Sequence, residues 1–260
     1  MSPRSDASSE PIDGIVVAGR TVRGPAAVVA VAVVVALVGL GISQAIPIAV
    51  LSGLSRVTDL SLVPAVTLQV VLTELVGFGF ATWASLRLRG LSVGYVHVRV
   101  PTVRDLGWMV GGTVVVLVLY FAYVTGIVLT GVPLARSGIS VAGQAEPTLL
   151  LVLAGLSFVL VGPMEELFFR GIVQETMREV LPGNQAVALA SLTFASIHYI
   201  TMVGPVVGKV VLLGSLFITS LVLGVAYERT RNLAVNAVVH GAYNAALLVL
   251  AYVVFSQGLV

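Results

Sequence analysis

Seven apolar stretches, at about residues 26–51, 62–86, 107–131, 148–170, 186–202, 210–227 and 232–255, occupy most of this 260-residue chain. Each is 17 to 26 residues long, near the ~20 that a helix needs to cross a hydrocarbon layer about 30 Å thick. In lipid, a run of that length satisfies its own backbone as a helix. Composition agrees: charged residues make up 10% of the chain and hydrophobic ones 58%, whereas a soluble domain carries about 25% charged residues. So few charges cannot cover a water-facing surface. The expected fold is all-α, a polytopic transmembrane helix bundle of seven spans, or eight if 163–180 splits off as its own helix. The fourth stretch is interrupted by Gly162-Pro163 and the fifth is short. No internal repeat of the transporter kind is present.

Residues 1–24 are polar, with Ser, Pro and mixed charges and no sustained periodicity, and read as a disordered tail. Arg20 and Arg23 precede the first apolar run as they would in a signal peptide. That run, Ala26 to Leu51, far exceeds the 7–15 residues of a signal h-region, so a retained span is expected. Without Cys there are no disulfides and no thiolate metal sites. The net charge of +2 comes from basic residues scattered between apolar runs, which argues for topology signals and against a nucleic-acid surface. Placing the N-terminus in the cytoplasm and alternating sides puts 11 of the 14 basic residues inside and leaves Arg56, Arg136 and Lys209 outside. The excess of Lys and Arg predicts an N-in, C-out multi-pass protein of the plasma membrane.

Ionisable side chains at bilayer depth cost ~2.5–3.5 kcal/mol each on insertion scales and usually mark function. Here they are Glu74, Glu165, Glu166, Arg170, His198 and His240, with Asn236 and Asn244 flanking the last. Glu166 and Arg170 stand at i,i+4 with the acid first, the better orientation for an ion pair. Glu165 lies about 100° around the helix and points elsewhere. One carboxylate is thereby committed to structure and the other is free for chemistry. Pro163 predicts a kink or a helix start that opens the backbone near Glu165. Asn236, His240 and Asn244 form one polar stripe, which suits either a site or a seam of interhelical hydrogen bonds. His198 shares a face with Phe194, one turn earlier. Glu74 faces either the site or a neighbouring helix, and His97 lies in an ordinary basic connector.

These segments resemble the CAAX protease and bacteriocin-processing (CPBP, or abortive-infection) family of intramembrane glutamic proteases. Its EExxxR signature is present as Glu165-Glu166-Leu167-Phe168-Phe169-Arg170, its FxxxH as Phe194 to His198, and its HxxxN as His240 to Asn244. The resemblance covers about 148–250 and makes 146–260 a catalytic helical core behind three N-terminal helices at 25–145. It implies that Glu165 is the general base, that His198 helps it activate water, and that His240 and Asn244 stabilise the oxyanion, with Glu166 and Arg170 as a supporting pair. Amide hydrolysis needs such a base, and donors placed where the carbonyl oxygen becomes negative. The implied substrate is a membrane-anchored protein or peptide, either a prenylated CAAX tail or a bacteriocin-related target, and no cofactor is implied. Zinc held by Glu165, His198 and His240 is the alternative mechanism, disfavoured by the lack of an HExxH motif. A non-catalytic scaffold, an immunity protein or a transporter is the alternative of another class. One geometric tension stands: span ends put Glu165 and His240 toward the cytoplasmic side and His198 deeper.

Overall fold

The computed structural model describes residues 14–259. A hairpin of β1 (Gly14–Val17) and β2 (Arg20–Arg23) leads into α1 (Pro25–Leu54), α2 (Leu62–Arg89) and α3 (Val103–Val128). A short strand β3 (Arg136–Ser137) and α4 (Gly138–Ala145) precede α5 (Thr148–Arg178) and α6 (Gly183–Ile197). A 3-10 turn at His198–Thr201 and β4 (Met202–Val203) then connect to α7 (Val206–Thr230) and α8 (Leu233–Ser256). The bundle is helical, as expected.

Six of these helices, α1, α2, α3, α5, α7 and α8, are long and apolar enough to cross a membrane. The expected fifth span is the exception, because α6 has only 15 residues. It nonetheless connects the two ends of the bundle. At one end, Ala18 N–H donates to the Leu88 carbonyl, Arg89 pairs with Glu179 at 2.7 Å, and Leu233 N–H donates to the His97 carbonyl. At the other, β3 pairs with β4, Arg136 opposite Val203 and Ser137 opposite Met202. The chain therefore travels the length of the bundle between Glu179 and Met202, with the 3-10 turn extending the short helix.

Three expectations are corrected. The fourth span does not break at Gly162-Pro163; α5 runs on to Arg178. Proline deprives the helix of a hydrogen bond one turn back, and here the backbone widens into a π turn at Ser157–Val161 just before it. A second π turn covers Phe169–Gln174. Next, of the tail expected to lack order, residues 1–13 lie outside the described residues, but 14–23 form the hairpin. Its turn places Ala18 at φ 48° and Gly19 at φ 75°, the pair of positive angles that lets a two-residue loop follow strand twist. Ile15 is buried against Val28 and Val180. Finally, Arg170, counted above among the cytoplasmic residues, is 2% exposed in the bundle interior.

The basic connector is also less ordinary than it reads. Thr102 and Asp105 close a reciprocal cap at the start of α3, and Arg99 grips Asp105 at 2.6 and 2.9 Å while donating to the Thr230 carbonyl. Arg89 bonds Thr176 and Glu179, and the Tyr95 hydroxyl donates to the same carboxylate. Burial pushes that hydroxyl above the ordinary phenol range, with Arg89 drawing it down and Glu179 raising it further. His97 accepts from or donates to Tyr227 at 3.2 Å, beside Arg231, which pairs with Glu175. These links tie 88–105 to the ends of α5 and α7 and thereby fix the depth of α5, the helix that carries both acids.

Candidate active site

Two glycines bring α5 and α8 into backbone contact. A Cβ on Gly162 would lie 2.7 Å from the Ala237 carbonyl oxygen, and one on Gly241 would lie 2.8 Å from the Ser157 carbonyl oxygen. Larger residues would hold the axes apart, and small residues let membrane helices approach this closely. The approach sets His240, next to Gly241, against the two glutamates that follow Gly162.

Glu166 is completely buried and fully occupied. Its Oε1 accepts from Arg170 Nη1 at 2.9 Å and from His240 Nδ1 at 2.8 Å, and its Oε2 accepts from Asn236 Nδ2 at 3.1 Å. Arg170 in turn donates to the Ser220 hydroxyl at 2.8 Å and to the Ser220 carbonyl at 3.2 Å, and its guanidinium lies 4.9 Å from the Phe194 ring centre. Pairing and hydrogen bonding on every side are what make a buried ion pair tolerable. Both oxygens of this carboxylate are engaged, and its 0% exposure keeps it away from solvent water.

Glu165 differs in each respect. Its side chain is 12% exposed, and among the described residues no N–H and no Ser, Thr or Tyr hydroxyl donates a hydrogen bond to it. Its Oε2 lies 3.7 Å from His240 Nε2. The division into one committed and one available carboxylate, read from helical spacing, thus holds in three dimensions. His240 bridges them, Nδ1 toward Glu166 and Nε2 toward Glu165. An ionised carboxylate can only accept, so Nδ1 carries a proton.

His198 caps the end of α6. Its Nδ1 donates to the Phe194 carbonyl at 2.7 Å, which fixes the tautomer and leaves the Nε2 lone pair facing outward. The depth mismatch disappears because α5 is longer than the sequence suggests. Glu165 lies 13 residues before Arg178 and His198 lies 15 residues after Gly183, about 20 and 22 Å along their helices at 1.5 Å per residue. The Phe194 ring sits between the imidazoles, 4.6 Å from His198 and 6.1 Å from His240, centre to centre. Phe194 thus links the two imidazoles, and His240 in turn meets Glu165. Asn244 lies one turn beyond His240 on α8, half-buried, and makes no side-chain hydrogen bond among the described residues.

The roles of several participants were not visible in the sequence. Asn236 belongs to the Glu166 cluster, so the polar stripe is a seam at Asn236 and turns toward Glu165 at His240. Ser220 supplies the second anchor of Arg170, and its only signal is a Thr219-Ser220 pair in an apolar helix. Phe194 touches Phe169, Arg170 and both imidazoles, and nothing in local spacing reveals such a hub. The trio weighed as zinc ligands is not drawn together: among the described residues no three His, Asp or Glu side chains gather closely enough to hold a metal ion.

Comparison with known proteins gives one match, to the family model described as type II CAAX prenyl endopeptidase, Rce1-like, over residues 147–246. Searches of curated proteins and of solved structures returned no match. The matched segment contains Glu165, Glu166, Arg170, Phe194, His198, His240 and Asn244, and it begins and ends within a few residues of the resemblance read from the motifs. Residues 147–246 of this helical membrane protein, less than half of the chain, are therefore similar to the Rce1-like type II CAAX prenyl endopeptidases, which are the CPBP family whose motifs the segment carries.

Proposed function

We propose that the chain hydrolyses a peptide bond of a membrane-anchored protein or peptide, with Glu165 as the base that activates water. The observation that carries this reading is the contrast between the two glutamates: Glu166 is buried and accepts three hydrogen bonds, and Glu165 is partly open and 3.7 Å from His240. A water between the Glu165 carboxylate and the His198 Nε2 lone pair can donate one hydrogen to each. As Glu165 takes its proton, the water oxygen attacks the scissile carbonyl carbon and the carbonyl π electrons move onto oxygen. His240, protonated on Nδ1 by its contact with Glu166, donates from Nε2 to that oxygen as an imidazolium, and the Asn244 amide is the second donor. Each such donor in a dry site contributes roughly 3 kcal/mol to the transition state. The tetrahedral intermediate then collapses, the C–N bond breaks, and the proton held by Glu165 passes to the departing amine.

The similarity to prenyl endopeptidases makes a prenylated CAAX tail the first substrate to test, with bacteriocin-related peptides second. No step in this scheme uses a metal. Peptide-cleavage mass spectrometry on membranes containing the wild type or Glu165→Ala tests the reading. Products present only with the wild type support it, and identical product sets from the two membranes overturn it.

A further inference from the structure

Among the described residues, one buried acid that the mechanism does not use also lacks an ion-pair partner. Glu74 lies in α2, 5% exposed, and its Oε2 has no hydrogen-bond partner among the described residues. It sits inside a π turn, Leu72–Phe78, a local widening that frequently accompanies functional side chains. Its walls are close. A Cβ on Gly77 would lie 2.4 Å from Ser43 Cα, and Thr73 donates to the Ser43 carbonyl at 3.2 Å, so α1 seals one side. On the other, Phe78 stacks on Phe168 at 5.2 Å and meets Phe169 edge-on at 5.6 Å.

Those ring contacts set the level of Glu74. Helices α2 and α5 run in the same direction, toward the end where Arg89 meets Glu179. Each places its acid four residues before the contacting aromatic, Glu74 before Phe78 and Glu165 before Phe169. The two carboxyls are therefore brought to the same depth on neighbouring helices. The facing groups are few. From α1 there is the Ser43 backbone; from α5, Glu165, with Arg170 already engaged by Glu166; from α8, His240, on the far side of Glu165. Among the described residues no side chain donates a hydrogen bond to Glu74 Oε2. Two carboxyls side by side out of water do not both ionise.

We infer that Glu74 is a positioning residue of the hydrolytic site, a neutral carboxyl whose O–H donates to Glu165 and holds that carboxylate ionised and turned toward the water. The inference rests on Glu165 being the base. It explains why an acid is buried in a helix that carries none of the family motifs, and why Glu165 needs no other donor.

The first test is independent of catalysis. Infrared spectra of the purified full chain near neutral pH should contain the C=O band of a protonated carboxyl, lost in Glu74→Gln. A wild type without such a band, or a band that persists in Glu74→Gln, overturns the inference. The second test reads cleavage of a prenylated CAAX peptide. Glutamine retains a donor, so Glu74→Gln should keep kcat within about 10-fold, whereas Glu74→Ala should lose about 100-fold or more in kcat with KM unchanged. Wild-type activity should fall on the alkaline side as the shared proton leaves and two negative charges face each other, and Glu74→Gln should lack that limb. Glu74→Gln as inactive as Glu165→Gln, or both Glu74 variants matching the wild type in kcat and pH profile, overturns the assignment. Undiminished cleavage by Glu165→Gln would instead sink the proposed function, and the infrared band would still decide the state of Glu74.

Discussion

Replacing Gly162 by alanine adds one methyl group at the point where α5 touches α8. The added carbon would meet the Ala237 carbonyl oxygen at 2.7 Å, the Ser157 oxygen at 2.9 Å and the Gly241 nitrogen at 3.1 Å. All three are backbone atoms, so no side chain can rotate away. Ordinary contact begins near 3.4 Å, and α8 must therefore retreat by about 0.7 Å, within the range in which overpacking costs ~1–3 kcal/mol. His240 is carried by the retreating helix, and its 3.7 Å separation from Glu165 opens further. Misplacement by about 1 Å can cost about 100-fold in rate, so a loss of roughly one to two orders of magnitude in kcat is expected. Gly155→Ala is the control: it lies on the same helix, exposed, with nothing within 4 Å, and helix propensity alone should leave it unchanged or up to ~1 kcal/mol more stable. Thermal unfolding in detergent and peptide cleavage, measured on both variants, check this. A Gly162→Ala protein with wild-type midpoint and rate would refute the argument that backbone contact sets the site.

Other consequences follow from the same packing. Arg170→Met strands the Glu166 carboxylate in the interior and should destabilise the protein by ~3–5 kcal/mol; adding Glu166→Gln should recover part of that, as read by unfolding midpoints. Ile15→Ala empties the contact that docks the hairpin on Val28 and Val180 and should cost ~2–4 kcal/mol, with faster proteolysis between residues 14 and 24. Because the chain has no Cys, Arg136→Cys with Val203→Cys should cross-link on mild oxidation, as partners in register, whereas Ala18→Cys with Val203→Cys should not. Failure of the first pair would contradict the seven-passage path of the chain.

The sequence reading of the site succeeds where the relevant geometry lies within one helix. Glu166 and Arg170 at i,i+4, the separate direction of Glu165 and the shared face of Phe194 and His198 all follow from 3.6 residues per turn. What lies between helices was less accessible. No spacing rule joins Ser220 to Arg170 or Glu74 to Glu165, since those contacts depend on which helices pack and at what depth. The span ends were placed from hydropathy, which stopped α5 near Arg170 because Arg170, Gln174, Glu175 and Arg178 read as polar. In the structure those residues are paired, Arg170 with Glu166 and Ser220, Gln174 and Arg178 with Glu228, and Glu175 with Arg231, so α5 continues and Glu165 sits deeper. The hairpin was obscured for a similar reason: its strands are four residues each, too short for periodicity to stand out, although Ile-Val-Val-Ala-Gly-Arg-Thr-Val has apolar runs flanking a Gly turn. The π turns have no local signal beyond Pro163.

The most direct measurement is cleavage of a farnesylated CAAX peptide by the purified chain in liposomes, comparing wild type with Glu165→Gln and repeating the wild type after exhaustive chelation. A Glu165 base with a His198 partner predicts cleavage by the wild type that persists under chelation, and a loss of at least about 100-fold in Glu165→Gln with the unfolding midpoint retained. Cleavage that survives in Glu165→Gln, or that vanishes on chelation and returns with zinc, would contradict it.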